Sequence, residues 1–349
     1  MLKIVEHSGY PTYLLWSHRY RKYTHIFKVY LYFLKEYFKI FLLKIRFTTS
    51  KKKVIAIILT QQFGDIVAGE PISRQIRKLY PDDYIIWIVK PIFKELLENN
   101  PNIDNIIEEF CSHQRKLLIE SDIFDKIFNL QFRNNSYCST CNIYVQNPEA
   151  DAKNIIIQNY YFQGNLLTVQ QKIAGLSIED ISPKIYIQEE QIAKIDSLNL
   201  PNNLVVIHCQ SAQNSRNWNS EKWLELVKYI LKNTDYEIIE VGLASELNSI
   251  SPKYTNLCKK LSILETAEVI KRAKLFIGVD SGPAHLANAV GTFGIIMIGK
   301  LENFTNHIPY SGKYKSGENA IIIRNSDGPS SEIPVEKVIL EIENTKILN

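Results

Sequence analysis

Three short polar stretches hold the residue types from which group-transfer chemistry is built. The first, Ile58-Leu59-Thr60-Gln61-Gln62-Phe63-Gly64-Asp65, leaves an apolar run, turns at Gly64 and brings Asp65 to where a helix should begin. A carboxylate there serves one of two ends: a general base toward a hydroxyl entering a cleft, or a helix cap. The second, Val279-Asp280-Ser281-Gly282-Pro283-Ala284-His285-Leu286-Ala287-Asn288-Ala289, passes from an apolar run into a helical pattern. Asp280 or Ser281 can cap it, Gly282 lets a ligand approach the backbone, and Pro283 suits a first turn. Free N–H groups and the helix dipole make such an end an anion site, with His285 one turn in. The third, the loop His208–Trp218, offers Ser211 and the permanent, bidentate charge of Arg216 for phosphate oxygens. Glu246, in the Gly242–Glu246 stretch after the next apolar run, can accept hydrogen bonds from a ribose or base.

Other chemistries lack their residues. The sequence has neither G-x-G-x-x-G after a strand nor G-x-x-x-x-G-K-[ST], so the usual dinucleotide and P-loop fingerprints are missing. Cys138-Ser139-Thr140-Cys141 is a C-x-x-C without a second pair and reads as an ordinary loop pair rather than a metal or redox motif. No metal is expected, and no cofactor beyond a donor substrate.

The elements that must hold these stretches follow a βαβ rhythm after Lys53. Apolar runs at Val54–Leu59, Tyr84–Val89, Leu204–His208, Glu237–Val241, Leu275–Val279 and Gly294–Ile298 read as strands, as do the IDNII and FDKIFNL segments. Helical periodicity covers about Ile66–Leu79, Ile92–Glu98, Ser220–Lys232, Leu264–Arg272 and Gly282–Val290, and a last helix starts near Pro334 that could pack on the first half. Each half therefore reads as an open parallel sheet with helices on both faces, and ligands of such sheets sit outside the carboxyl ends of the strands. Two prolines and several polar residues place a junction near Asp196–Asn203. The expected organisation is an extension over 1–50, one Rossmann-like domain over 51–198 and a second over 199–349, with a cleft between them. No repeat of 20–50 residues is evident.

Length and composition agree. The 349 residues suit two domains, and 45% hydrophobic with 22% charged residues is an ordinary globular profile that excludes collagen-like and mostly disordered chains. The net charge of +4 is unevenly spread: residues 1–53 carry twelve Lys and Arg against Glu6 and Glu36, leaving 29 basic and 35 acidic residues for the body. A general nucleic-acid binder would not look like this. Five scattered cysteines are an odd number and too few for a disulfide framework, so a reducing cytoplasm is expected; the opening residues lack a secretory signal pattern, so the mature chain is expected to begin near Met1.

From His18 to Phe47 neither Gly nor Pro interrupts a helix, and Arg21, Lys28, Lys35, Lys39 and Arg46 fall on one line while Phe27, Leu31, Leu34, Phe38, Leu42 and Ile45 fall elsewhere. Charges within Ile26–Leu43 disfavour spanning a bilayer. A helix lying in an anionic leaflet fits the pattern, and so does one that packs on the protein's own body with Lys and Arg snorkelling outward.

In order and spacing, the run IGVDSGPAHLANAVGTFGIIMIG, supported by FGDIVAGEPISRQIRKLYPDDYI, NPNIDNII, RNWNSEKWLELV and VGLASE, resembles glycosyltransferase family 9, the ADP-heptose:lipopolysaccharide heptosyltransferases. The resemblance spans about residues 54–345. It implies a GT-B fold, two Rossmann-like domains with parallel sheets facing a cleft, and inverting sugar transfer without a catalytic metal. It also implies Asp65 as base, Arg216 near the donor phosphates, Glu246 as a nucleotide contact, and Asp280, Ser281, Gly282 and His285 on the donor-binding turn. Cys209-Gln210-Ser211 departs from the Pro-Gly or Ala-Thr-Thr type sequence often found there, and the basic extension lies outside the family core. The partners expected are a nucleotide-sugar donor, ADP-heptose first, a lipid-linked or surface glycan acceptor, and an anionic membrane reached through residues 18–47, which places the protein at the cytoplasmic membrane's inner face. A catalytically silent glycan-binding scaffold and a GT-B epimerase or hydrolase are the competing expectations.

Overall fold

The computed structural model describes residues 12–60, 62–132, 136–247, 251–300 and 307–348. The expected extension therefore begins outside the described residues, and the helix α1 (Thr12–Phe47) supplies most of what is seen of it. No helix among the described residues is long and apolar enough to cross a membrane.

β1 (Val54–Ile58), α2 (Phe63–Leu79), β2 (Tyr84–Val89), β3 (Asn105–Glu108), α3 (Ser112–Glu120) and β4 (Lys126–Asn129) form the first sheet, in the order β3-β2-β1-β4 with every pair parallel. The all-apolar β1 is buried along its length because both faces are covered. Side chains alternate between two clusters: Ile55, Ile57 and Trp87 point to α2, whereas Val54, Ala56, Ile58 and Ile86 meet Ile40 of α1 and Leu118 of α3. Where a helix is expected over Ile92–Glu98, the chain forms a 3-10 segment over Pro91–Leu97, with Pro91 at its start. A hairpin of β5 (Ser136–Cys138) and β6 (Ile143–Val145), then α4 (Pro148–Ala152), α5 (Leu166–Ala174) and α6 (Glu189–Asp196) complete this half.

The second sheet is built from β7 (Leu204–His208), α7 (Ser220–Asn233), β8 (Glu237–Glu240), β9 (Tyr254–Asn256), α8 (Ile263–Arg272), β10 (Leu275–Val279), α9 (Gly282–Val290), β11 (Gly294–Gly299), α10 (Lys313–Ser316) and β12 (Ala320–Asn325). Its order is β12-β11-β10-β7-β8-β9, again all parallel. α11 (Val335–Thr345) does not return to the first half as the sequence allowed; Val338 and Ile342 join Trp223 and Val227 of α7 against Val205 and Ile277, because that face of the second sheet is otherwise bare.

The opposite face of the second sheet, with α8 and α9, shares one continuous core with α2 and the first sheet. Polar ties lock the same junction. The Glu95 carboxylate accepts the N–H groups of Ile263 and Leu264 at the start of α8, at 3.1 and 3.0 Å, where the helix dipole favours an anion. Asp196 at the end of α6 pairs with Arg272 at 2.8 Å. Buried Glu70 binds Arg74, the backbone N–H of Lys184 and the Tyr186 hydroxyl, which seats the connecting strand of chain on α2. Burial holds the Glu70 carboxyl above its ordinary range against the pull of these donors.

α1 packs along one face and leaves the other bare. Val29 and Ile40 are fully buried, while Trp16, Tyr20, Tyr23, Phe27, Leu31, Leu34, Phe38, Leu42 and Ile45 recur at helical spacing as an exposed stripe about half a turn away.

Candidate active site

Each sheet changes direction once, and the polar stretches lie at those points. In the first sheet β1 sits between β2 and β4, and the chain leaving β1 carries Thr60 and Asp65. In the second, β7 and β10 are neighbours, so the loop with Ser211 and Arg216 and the turn with Asp280 flank one crevice.

The two crevices face each other. α2 and α9 meet end to end: a Cβ added to Gly64 would come within 2.7 Å of the His285 ring, and one added to Gly282 within 2.6 Å of the Phe63 ring. Both glycines are needed for this approach rather than for unusual backbone angles. Asp65 is 7% exposed at the third position of α2. It is not the N-cap; Gln62 is, and Asp65 Oδ2 accepts the Gln62 N–H at 3.3 Å in a capping box. Its backbone carbonyl accepts from buried Gln170 at 3.0 Å, which fixes this turn from behind.

The start of α9 departs from the simple capping expectation. Ser281 occupies the N-cap position with extended backbone, yet its side chain makes no capping bond, and its buried hydroxyl has no hydrogen-bond partner. Asp280 does not cap either. One of its oxygens pairs with Arg216 Nη1 at 3.1 Å and the other accepts the Tyr310 hydroxyl at 2.9 Å. The helix start is thus left without a side-chain cap, beside a guanidinium held in place by Asp280. Burial and the Asp280 carboxylate both push the Tyr310 hydroxyl up, so it remains a donor. A small cavity at this point is lined by Arg216, Asp280, His307 and Arg324.

His285 is 4% exposed, its ring tilted against that of Tyr310 with centroids 4.6 Å apart. Burial lowers its pKa to about 4, Asp280 opposing and Arg216 and His307 assisting. At neutral pH it contributes a ring and a neutral imidazole, not a positive charge. His307 is likewise lowered to about 4, chiefly by burial.

Glu246 lies beyond β8 with its carboxylate bound by the Gln210 side chain, and its N–H donates to buried Glu240 at 2.9 Å. Gly242, at φ +144, lets this loop turn tightly over the His208 ring. Ser211 is spent locally: its N–H donates to Asn217 at 2.6 Å and its hydroxyl to the Gln213 carbonyl at 2.9 Å. Ser211, Arg216, Glu246, Asp280, Ser281, Gly282 and His285 therefore gather at one sheet edge, with Asp65 brought up from the other.

Sequence reading missed several neighbours. Arg324 lies in β12, a strand it did not place, and donates to the His307 carbonyl at 3.1 Å. Across the junction, buried Arg115 bonds Glu109 and the Thr60 hydroxyl at 3.0 Å, while Gln131 donates to the same hydroxyl at 2.7 Å. Arg115, between Gln114 and Lys116, carries no signal in the sequence, and only Arg324, at the end of the apolar run Ala320–Ile323, could have been flagged.

Two facing parallel-sheet halves, with an uncapped helix start and a guanidinium at their junction, form a site suited to an anionic ligand, and comparison with known proteins gives the class. Residues 156–316 match the model of Glycosyltransferase family 9 (heptosyltransferase). Lipopolysaccharide heptosyltransferase 1 of Campylobacter coli is 25% identical over 316 residues, 77% of this chain and 88% of that protein. The structure of Escherichia coli ADP-heptose LPS heptosyltransferase II superposes with a TM-score of 0.62 at 16% identity, covering 85% of this chain and 98% of that one. The iron-containing dodecameric glycosyltransferase TibC from enterotoxigenic Escherichia coli superposes with a TM-score of 0.54 at 16% identity, over 80% of this chain and 66% of that one. The chain is a glycosyltransferase of the GT-B fold. Its resemblance to family 9, read first from its residues, is borne out.

The buried imidazole makes a testable demand. The unfolded chain takes up a proton on His285 near 6.5 and the folded chain only near 4, so this contribution to stability is whole above about pH 6.5 and is lost as pH falls toward 4. Denaturation followed from pH 7 to pH 4 should show the loss, on the order of 3 kcal/mol, and H285Q should flatten the slope. An unchanged slope in H285Q would show that His285 titrates normally in the fold.

Proposed function

We propose that this protein is an inverting, metal-independent heptosyltransferase-type enzyme, moving a sugar from a nucleotide diphosphate donor, ADP-heptose first, to a lipopolysaccharide-type glycan. The observation that carries the reading is the end-to-end approach of α2 and α9, which sets Asp65 opposite an uncapped helix start. The similarity to lipopolysaccharide heptosyltransferases of Campylobacter coli and Escherichia coli supports the choice of donor and acceptor class.

In this reading residues 199–349 hold the donor and residues 51–198 the acceptor. The diphosphate rests on the first N–H groups of α9, with the Ser281 hydroxyl and Arg216 donating to its oxygens and Glu246 taking the ribose or base. Gly282, bare of a side chain, admits the Phe63 ring of the first half against the start of α9. Asp280 orients Arg216 rather than meeting the like-charged phosphate itself. As the sugar–phosphate bond breaks, this preorganised positive field receives the leaving group's charge, and one such contact is worth roughly 3 kcal/mol. It does the work otherwise given to a divalent ion. The acceptor hydroxyl enters from the first half, gives its proton to Asp65 and attacks the anomeric carbon from the face opposite the phosphate, inverting it. Asp65 must exchange its bond to the Gln62 N–H for the hydroxyl.

α1 has one face on the body and an apolar, aromatic stripe on the other, with Arg21, Lys28, Lys35, Lys39 and Arg46 along its margin. That arrangement suits a helix lying in the headgroup region of an anionic leaflet, holding the cleft near a lipid-linked acceptor on the inner face of the cytoplasmic membrane.

Incubation with nucleotide sugars and a glycolipid extract, following nucleotide diphosphate release, tests the reaction. Acceptor-dependent release is expected; release without acceptor would indicate an epimerase or hydrolase, and binding without turnover a scaffold. D65N should lower turnover by about 10²–10⁴ with donor affinity little changed, and equal loss of both would reduce Asp65 to a structural role. For the membrane, L31Q/L34Q/F38Q should abolish co-sedimentation with phosphatidylglycerol vesicles while leaving the thermal midpoint unchanged; retained binding would overturn the interfacial placement.

A further inference from the structure

Away from the residues assigned to transfer, the fold gathers four soft and borderline donors from three distant parts of the chain. His25 comes from the fourth turn of α1, Cys111 from the N-cap of α3, and Cys138 and Cys141 from the β5–β6 hairpin. All four donor atoms lie within 4.8 Å of one another. None of the cysteines is in a disulfide.

The spacing matches a coordination sphere. Tetrahedral zinc with bonds of about 2.3 Å to sulfur and about 2.0–2.1 Å to nitrogen sets two sulfurs about 3.8 Å apart, and a nitrogen and a sulfur about 3.5 Å apart. Cys111 Sγ and Cys141 Sγ are 3.9 Å apart, and His25 Nε2 and Cys138 Sγ are 3.5 Å apart. We propose that His25, Cys111, Cys138 and Cys141 form a closed structural zinc site that fastens α1 and the hairpin to α3.

The surroundings are those that thiolate ligands need. The backbone N–H groups of His113 and Gln114 in the first turn of α3 are directed at the Cys111 sulfur, and those of Thr140 and Cys141 at the Cys138 sulfur. The C-x-x-C turn is closed by the Asn142 N–H donating to the Cys138 carbonyl at 2.8 Å, with Asn142 in the left-handed region at φ 58. The His25 ring lies against Phe110, with centroids 5.0 Å apart, which sets its plane. On binding, the three thiols lose their protons to solvent and His25 ligates as a neutral imidazole. Four protein ligands leave no open position, which marks a structural rather than a catalytic ion.

The hairpin has little of its own to hold its shape beyond its packing on α3. Its strands have three residues each, too short for an isolated pair to be stable in water. The exposed Tyr137–Tyr144 stack, with centroids 4.4 Å apart, lies across it. On α1, the buried anchors Val29 and Ile40 lie C-terminal to His25, so the ion would hold the part of the helix that those anchors do not.

The test uses the full chain, purified reduced and without chelator from medium containing both zinc and iron, and reads metal by mass spectrometry. About one zinc per chain is expected, falling at least tenfold in C138S/C141S. Cobalt exchanged into the wild-type protein should show intense sulfur-to-cobalt charge-transfer absorption, and this readout stands even if the double variant fails to fold. H25A should keep three thiolate ligands but bind zinc more weakly, with faster proteolysis at the start of α1. Absence of stoichiometric metal, metal unchanged in C138S/C141S, or a Cys111–Cys141 disulfide in the protein as isolated would overturn the site; stoichiometric iron in place of zinc would overturn the choice of ion. None of these readouts depends on sugar transfer.

Discussion

The junction between the two halves depends on two helix ends that approach too closely for a side chain at Gly64 or at Gly282. Gly64 lies on the His285 ring and Gly282 on the Phe63 ring, so the start of α2 and the start of α9 form the two walls of one narrow junction. The shared core of α2, α8 and α9 fixes that distance from below, and Glu95 on the start of α8 fixes it from the side. A helix start carries partial positive charge, and here two are brought together at the edges of two parallel sheets.

Electrostatic roles within the junction are divided by burial. His285 is too deeply buried to be charged at neutral pH, so the cationic work falls to Arg216, which Asp280 holds by a single 3.1 Å contact. Asp280 in turn is steadied by the Tyr310 hydroxyl. The Ser281 hydroxyl, buried and unbonded at the head of α9, is the kind of group that an anionic ligand would satisfy. In the proposed reading, a carboxylate that positions a guanidinium, a neutral imidazole that fills space and an uncapped helix start together favour an anionic occupant.

Much of this was legible in the residues because the two central strands of each sheet are buried on both faces. VIAII and LFIGV had no polar position to confuse the reading and LVVIH only its last, His208, while α9 was framed by Pro283 near its start and Gly291 in the left-handed region after its end. The 3-10 turn at Pro91–Leu97 and the short β5, β6 and β9 were not, since three to seven residues hold too little periodicity to declare an element. Of the two readings of Asp65, cap or base, the structure corrects only the first: Asp65 is the inner partner of a capping box whose N-cap is Gln62, a distinction made by the backbone angles of Gln62. The His25, Cys111, Cys138 and Cys141 cluster was beyond sequence reading altogether: only the C-x-x-C pair is local, and the other two ligands are supplied by the packing of α1 on α3.

The central claim is that the junction of α2 and α9 is where the donor's diphosphate sits and where Asp65 meets the acceptor. The most direct measurement is a crystal structure with an unreactive fluorinated analogue of the donor sugar nucleotide. The account predicts diphosphate oxygens within about 2.7–3.2 Å of the first N–H groups of α9 and of Arg216, with the Asp65 carboxylate facing the anomeric carbon. A diphosphate bound elsewhere, or an Asp65 carboxylate still turned to the Gln62 N–H and out of reach of the sugar, would contradict it.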